Sequence, residues 1–393
     1  MPVCETVKSL FLQNKKDREV LIKGWVKTVR KSKKFSFIVV NDGSCGENIQ
    51  VVANDTLARY EKISSMLTGT SIEVTGKLVG SMGKGQSLEI QAQNITILGS
   101  TDPGYPLQKK ALSPSFLREK AHLRARTDTF SAVFRLRHKL AMATHKFFDE
   151  LGFYYLHTPI ITGYDAEGAG ELFSVSTLKP ENPPKDEKGK VDYDKDYFAS
   201  KAYLAVSGQL EAECFALGMR AVYTFGPTFR SENSNTPRHL AEFWMIEPEV
   251  AFADLNEISS LAAQYIKHLI DVALNECPRE MQLFAKKIKE EKPNEDLIAS
   301  LSKLKESDFV KITYTEAVDI LLKSGLSFEY PVKWGHNLQT EHERMLAEKH
   351  FKAPLIVTDY PKDCKAFYMK QNPDNKTVGA FDVLVPGVGE IVG

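Results

Sequence analysis

Short runs of β-branched and aromatic residues dominate residues 20–98. Polar segments rich in Gly, Asn, Asp and Ser, such as NDGSCG, separate these runs, which are VLIKGWVKTV, FSFIVV, NIQVVA, SIEVTGKLVG and LEIQAQNITIL. Within them apolar and polar positions alternate in part, which is typical of strands with one buried face. Five such strands in about 80 residues predict a small β-barrel.

The pattern changes to helical spacing at residue 126. Apolar residues then fall near one helix face up to residue 148, with Thr127 or Asp128 as N-cap and Gly152 beyond the end. A second long helix is predicted from Asp254, with Glu257 completing a capping box, to about residue 276. Further helices are predicted at TEAVDILLKSG and QTEHERMLAEKH.

Strands are predicted between these helices, at FYYLHTPIIT, AYLAV, AVYTFG, FWMIEPEVAF, DFVKITY, APLIVTDY, AFYMK and VGAFDVLV. Strands and helices mix without a regular βαβ repeat. The expected fold class is therefore α+β, with a barrel followed by a domain on a mostly antiparallel sheet.

Two segments are predicted to lack regular structure. Residues 99–120 contain three prolines and two glycines and are interpreted as a linker, and the polar residues 178–200 as an exposed insertion. The predicted domains are 1–103 for the barrel, 104–125 for the linker and 126–393 for the second domain.

Composition excludes several classes of protein. The chain has 393 residues, is 42% hydrophobic and 26% charged, and contains no apolar stretch long enough for a membrane helix. Its start lacks the pattern of a secretory signal. Five scattered cysteines form no CxxC pair, which favours reduced thiols in the cytoplasm over disulfides or a zinc site.

Charge changes the interpretation of the barrel. Residues 1–110 carry 16 Lys and Arg against 10 Asp and Glu, although the whole chain is neutral. The basic run KTVRKSKK suggests a polyanionic partner, and an OB-fold presents such a face to single-stranded nucleic acid. A solvated hairpin turn is the alternative that charge alone leaves open.

The segment FGPTFRSENSNTPRHLAEFWMIEPEV, residues 225–250, carries the candidate chemistry. Two β-type runs flank a polar loop, with Arg230 and Glu232 before it and His239 and Phe243 after it. A guanidinium suits a phosphate and an aromatic face suits a nucleobase, so a nucleoside triphosphate could lie along this hairpin. The chain has no GxxxxGK[ST] phosphate loop. A surface hairpin with a salt bridge remains the alternative.

These residues resemble motif 2 of the class II aminoacyl-tRNA synthetases. Residues 126–162 resemble motif 1, a long helix and then a strand, with Pro159 at the homodimer interface. GWVKTVRKSKKFSFIVVNDGS, EGAGELFSV, VSGQLEAE, KAFYMK and VPGVGEIVG extend the resemblance through the chain. They are similar to the aspartate/asparagine/lysine subgroup, and within it to bacterial-type asparaginyl enzymes.

The resemblance implies roles in ATP-dependent amino-acid activation. Arg230, Glu232 and His239 would be catalytic and would bind ATP, with Phe243 stacked on the adenine. Arg230 would also hold the substrate carboxylate. The other implied residues are Glu167 and Gln209 for the amino acid and Asp382 and Glu390 for Mg²⁺. Apart from the resemblance, Lys365 is a further candidate to face the same site, since strand ends near the ATP pocket would place it there.

The resemblance also implies the substrate. Where aspartyl enzymes carry a Lys that pairs with the substrate carboxylate, this chain has Ala212 followed by Glu213. A carboxylate acceptor suits an amide donor and disfavours an unpaired carboxylate. The expected activity is asparagine–tRNA ligase, with asparagine, ATP and tRNA(Asn) as substrates.

The barrel contains the implied anticodon-binding residues. Phe37 and Gln50 match positions that stack on and hydrogen-bond the central anticodon base, Arg30 lies nearby, and Phe35 is a second candidate. Phe37 could instead belong to the barrel core, where Trp25 is expected.

Two expectations concern the rest of the chain. No motif 3-like GxGxGxER stretch occurs, so we expect a C-terminally shortened ligase with little activity, or a related protein that only binds tRNA or nucleotide. His336, His342 and His350 are expected at the surface, without a metal.

Overall fold

A computed structural model describes residues 3–81, 83, 85–107, 112–164, 172–232 and 240–393. By contacts the chain forms two compact units. Unit 1 comprises Met1–Lys139 and Cys277–Leu297, and unit 2 comprises Leu140–Glu276 and Ile298–Gly393.

The barrel of unit 1 contains the five predicted strands and a short additional strand at its start. The strands are β1 (Cys4–Glu5), β2 (Arg18–Lys31), β3 (Phe35–Asn41), β4 (Ile49–Asn54), β5 (Ser71–Gly80) and β6 (Leu88–Gly99). Their order is β1-β2-β3-β4-β6-β5, and pairing of β2 with β5 closes the barrel. The predicted OB-fold is confirmed.

Alternation along β3 separates the two faces of the barrel. Ser36, Ile38 and Val40 are fully buried, whereas Phe35 and Phe37, which alternate with them, are half-buried on the outer face. The apolar residues of the inner face form one core cluster with those of β2, β4, β5 and β6. The expectation that Trp25 lies in this core is wrong, because 39% of its surface is exposed and Arg126 lies 5.2 Å from its ring centroid.

Unit 2 contains three small sheets. Its strands are β7 (Tyr154–Leu156), β8 (Ile161–Thr162), β9 (Ser174–Val175), β10 (Ala202–Leu204), β11 (Ala221–Phe229), β12 (Glu242–Val250), β13 (Val310–Thr313), β14 (Leu355–Pro361), β15 (Thr377–Val385) and β16 (Gly389–Val392). The sheet orders are β8-β10-β9, β12-β11-β7 and β13-β14-β15-β16. Among described strands, only β7–β11 and β13–β14 of unit 2 pair in parallel, so the sheets are mostly antiparallel as predicted.

The described residues of the two units also contain helices. They are α1 (Val7–Gln13), α2 (Tyr60–Ser64), α3 (Pro114–Glu119), α4 (Ala121–Arg124), α5 (Asp128–Glu150), α6 (Gln209–Met219), α7 (Leu255–Glu276), α8 (Pro278–Glu291), α9 (Leu297–Glu306), α10 (Tyr314–Lys323) and α11 (Thr340–Arg344), the last continuing as a π-helical turn, Met345–His350. None of the described helices is long and apolar enough to span a membrane.

The predicted helix caps form. The Thr127 hydroxyl accepts from Phe130 N before α5. Before α7, Asp254 and Glu257 exchange backbone-to-carboxylate hydrogen bonds of 2.8 and 2.9 Å. The capping box is therefore confirmed.

Three element predictions are wrong. The linker contains α3, because the Ser113 hydroxyl caps it and Pro114 suits its first turn. FYYLHTPIIT forms two short strands in different sheets, β7 and β8, rather than one. AFYMK forms a turn in which Met369 N donates to Ala366 O.

Candidate active site

The hairpin β11–β12 positions the residues of the predicted nucleotide site. Its ladder pairs Thr228 with Phe243 and Phe229 with Glu242, and continues through a hydrogen bond of 3.1 Å from Arg230 N to Ala241 O. Side chains two residues apart on a strand share a face. Phe243, Met245, Glu247 and Glu249 therefore follow one another along one face of β12.

Arg230 lies at the open end of this face. Its guanidinium carbon is 5.5 Å from the Phe243 ring centroid, and Nη2 is 3.8 Å from Met245 Sδ. The structure thus brings together two of the predicted ATP-binding residues. Glu232 is exposed beyond the strand. Glu167 and His239, also predicted for this site, lie outside the described residues.

Glu247 is a hydrogen-bond centre on the same face that sequence reasoning missed. Its carboxylate accepts from Ser207 Oγ at 2.5 Å, Gly208 N at 3.2 Å and Thr224 Oγ1 at 2.8 Å. Ser207 and Thr224 are buried. Glutamate in the alternating segment FWMIEPEV was the available signal, since a carboxylate on an otherwise apolar strand needs partners.

Helix α6 carries the predicted amino-acid residues. Gln209 Nε2 donates to Glu213 Oε1 at 2.9 Å, one helical turn along the exposed side. Ala212 points the other way and is fully buried against Ala216 and Val222 of β11. The helix therefore presents an amide and a carboxylate together.

A third carboxyl group, Glu249, lies close to Glu213 and Glu247. Burial raises its pKa to about 8, and the negative charges of Glu213 and Glu247 add to this shift. This end of the hairpin face is consequently an acidic environment in which another carboxylate would be unfavourable.

The two predicted Mg²⁺ residues converge. Asp382 lies on β15 and Glu390 on β16, and a methyl group at Gly393 would lie 3.2 Å from Asp382 Oδ1 and 2.7 Å from Glu390 Oε1. Desolvation and the charge of Asp382 raise the pKa of Glu390 to about 7, although the residue as a whole is exposed. Lys365 Nζ contacts both Asp382 oxygens, at 2.7 and 2.9 Å.

The outer face of the barrel gathers the predicted anticodon residues. The Arg30 guanidinium carbon is 4.9 Å from the Phe37 ring centroid, and the Phe35 and Phe37 rings meet edge to face with centroids 5.0 Å apart. Phe37 is half-buried on this face, so it is not a core residue. Gln50, on the neighbouring strand, donates to Glu89 at 3.2 Å.

The remaining candidates divide into exposed and buried residues. Pro159 is exposed between β7 and β8, close in sequence to Tyr155, which is 48% exposed. His336 and His350 are exposed as expected. His342 is buried, contrary to expectation, because its ring nitrogens bond Gln339 N and Tyr330 O.

Comparisons with known proteins give the family. Residues 113–393 match the family model of class II tRNA synthetases for D, K and N, and residues 20–98 match an OB-fold nucleic acid binding domain. The asparagine–tRNA ligase of Clostridium novyi is 55% identical over 389 residues, covering 98% of this chain and 83% of that protein. The asparagine–tRNA ligase of Acetivibrio thermocellus is 54% identical with the same coverage.

A solved structure agrees with these matches. The crystal structure of asparaginyl-tRNA synthetase from Pyrococcus horikoshii complexed with asparaginyl-adenylate aligns with a TM-score of 0.80 at 29% identity. The alignment covers 96% of this chain and 79% of that one. With the described hairpin, the barrel and both family matches in agreement, the chain belongs to the class II tRNA synthetases of the aspartate, lysine and asparagine group.

Proposed function

We propose that this protein is an asparagine–tRNA ligase. It activates asparagine with ATP to asparaginyl-adenylate and transfers the asparaginyl group to the 3′ end of tRNA(Asn). The observation that carries the proposal is the arrangement on α6, where Gln209 and Glu213 are hydrogen-bonded beside the buried Ala212. The asparagine–tRNA ligases at 54–55% identity support the same reaction.

The acidic surroundings of α6 favour asparagine over aspartate. Glu213 can accept a hydrogen bond from the side-chain amide, and Gln209 orients Glu213. Burial, with the added negative charges of Glu213 and Glu247, already makes Glu249 hold its proton more strongly than usual, because both raise its pKa. An aspartate side chain would add a further charge here, without the lysine that aspartyl enzymes carry at the position of Ala212.

Arg230 is the residue we assign to the α-phosphate and the substrate carboxylate. Its contact with Phe243 orients the guanidinium, and a fixed fork of donors neutralises the charge that develops at phosphorus. Phe243 offers its ring to adenine. Glu232 and His239 for ATP and Glu167 for the amino acid retain the roles that the resemblance implies.

Asp382 and Glu390 fit Mg²⁺. Their carboxylates converge on one point, and Mg²⁺ commonly binds one or two carboxylates plus substrate phosphates and waters. When bound, the ion would neutralise triphosphate charge. The protein's own contribution is to hold the two carboxylates together on adjacent strands.

The barrel is the part we assign to the anticodon of tRNA(Asn). Phe37 and Phe35 provide a stacking surface, Arg30 provides charge and Gln50 provides an amide on the same outer face. We further propose a homodimer with Pro159 at its interface, a cytoplasmic location, and the boundaries 1–103, 104–125 and 126–393 for barrel, linker and catalytic domain.

Amino-acid-dependent ATP–pyrophosphate exchange tests this function. Exchange that depends on asparagine and is at least about 100-fold weaker with aspartate would support it. Exchange driven equally by aspartate would contradict the substrate assignment. No exchange, together with retained binding of tRNA(Asn), would instead indicate a protein that only binds its ligands.

A further inference from the structure

Lys365 and Asp382 form a close ion pair at the proposed metal site. Lys365 Nζ lies within hydrogen-bond distance of both Asp382 oxygens, 2.7 and 2.9 Å away. The lysine side chain is 20% exposed and that of Asp382 is 9% exposed. The ammonium also lies 4.2 Å from the centroid of the Tyr360 ring. Lys365 is therefore paired with the same carboxylate that the proposed function assigns to Mg²⁺ binding.

The chain around Lys365 is suited to movement. Lys365 follows a short 3₁₀ turn, Lys362–Cys364, and precedes the turn at residues 366–369 rather than lying on a strand. Its backbone N–H makes a hydrogen bond of 3.5 Å to Lys362 O, and nearby Phe367 is 82% exposed. Asp382, in contrast, is fixed within the β14–β15 ladder opposite Val357.

An ammonium and a divalent cation compete for the same carboxylate. Mg²⁺ needs a carboxylate oxygen at about 2.0–2.1 Å, and at that distance it would repel a lysine that contacts both oxygens. Removing the lysine should leave two converging carboxylates without this counter-ion. The electrostatic attraction for a divalent cation would then increase.

We propose that Lys365 is an exchangeable counter-ion, which pairs with Asp382 in the ligand-free protein and releases it when a divalent cation binds. The inference rests on the proposed function of Asp382 as a metal ligand. The released ammonium is then available to a phosphate oxygen, so the same lysine would serve the empty and the occupied site.

Titration of the full chain with Mn²⁺ tests the inference, with the free ion quantified by electron paramagnetic resonance. Lys365→Met should bind Mn²⁺ about 10-fold more tightly than the parent protein, because the competing charge is gone. Lys365→Arg should bind it about as the parent does. The control Lys362→Met, at an exposed lysine three residues away, should leave the affinity unchanged.

Unchanged or weaker Mn²⁺ binding by Lys365→Met would overturn the proposal that a divalent cation displaces Lys365 from Asp382. Asp382→Asn separates this failure from failure of the proposed metal site, because loss of binding in that variant supports the site whatever Lys365 does. Amine-reactive labelling of the parent protein gives a second readout. Lys365 should become more reactive when Mn²⁺ is added, and constant reactivity would contradict its release.

Discussion

The outer face of the barrel and the acidic face of the catalytic hairpin are built in different ways. The barrel face comes from β2, β3 and β4, three strands within 37 residues, and its aromatic rings contact one another and Arg30. The acidic face combines β11 and β12 with α6. There, buried hydroxyls donate hydrogen bonds to Glu247, and burial and the neighbouring carboxylates raise the pKa of Glu249. The barrel face therefore offers solvent-accessible aromatic rings for stacking, whereas the acidic face relies on carboxyl groups that are partly removed from solvent.

This difference predicts that the two sites fail independently. The barrel has its own apolar core cluster in unit 1, whereas the hairpin and α6 pack in a separate cluster of unit 2. Substitutions on the barrel face should affect RNA binding alone. Substitutions of the residues assigned to the substrates, Glu213 and Arg230, should affect amino-acid activation alone. The following variants test that separation.

Removal of the Arg230 guanidinium should have the largest effect. Arg230→Ala should reduce asparagine-dependent pyrophosphate exchange about 10²–10³-fold, because one preorganised charge donor to the transition state is lost. Arg230→Lys should recover little, since an ammonium lacks the planar fork. Arg344→Ala, which removes a surface arginine near Glu348, is the matched control. Equal loss in both variants would contradict the assignment.

Truncation of Phe37 should weaken tRNA binding without affecting activation. Phe37→Ala should cost about 1–3 kcal/mol of tRNA(Asn) affinity, the usual contribution of one stacked base. Leu98→Ala, at an apolar barrel residue that is 53% exposed, should change affinity little. Filter binding measures the affinity for tRNA(Asn), and pyrophosphate exchange measures the activation of asparagine. Parallel losses in both assays would indicate a folding defect and break the proposed separation.

Neutralisation of Glu213 should reduce selectivity for asparagine. Glu213→Gln replaces the charged acceptor by an amide, so the KM for asparagine should rise about 10-fold and the preference over aspartate should narrow. Glu211→Gln on the same helix is the control. A selectivity ratio that stays constant in Glu213→Gln would remove Glu213 from the pocket.

Glu249 should give the smallest effect, on stability rather than activity. The folded protein raises its pKa from 4.5 to about 8, so the folded carboxyl keeps a proton that the unfolded chain releases as pH rises between these values. Stability of the parent protein is therefore lost over this range. Glu249→Gln lacks this titration, so its free energy of unfolding should rise relative to that of the parent by at least about 1 kcal/mol on going from pH 5 to pH 8. Urea unfolding of both proteins at pH 5 and pH 8 measures these free energies. A difference between variant and parent that is the same at both pH values would contradict the prediction.

Sequence patterns identified the barrel face better than the acidic face for a physical reason. Alternation of period two places Phe35 and Phe37 on the outside of one strand, where their positions follow from β3 alone. The hydroxyl partners of Glu247 come from Ser207, after β10, and from Thr224 of β11, 40 and 23 residues away in sequence. Local periodicity contains no information on such contacts.

The wrong predictions have the same origin. AFYMK has the apolar composition of a strand, but turn hydrogen bonds determine its structure and leave Phe367 exposed. The expected surface position of His342 is wrong because its ring completes hydrogen bonds with Gln339 and Tyr330. In both segments, partners that composition does not reveal decided the outcome.

Selection of asparagine over aspartate is the central claim, and analogue binding tests it without requiring turnover. Non-hydrolysable sulfamoyl analogues of asparaginyl-adenylate and aspartyl-adenylate differ at the side chain that Gln209 and Glu213 are proposed to face. Calorimetric titration of the full chain should give at least about 100-fold tighter binding of the asparaginyl analogue. Equal affinities, or tighter binding of the aspartyl analogue, would contradict the account.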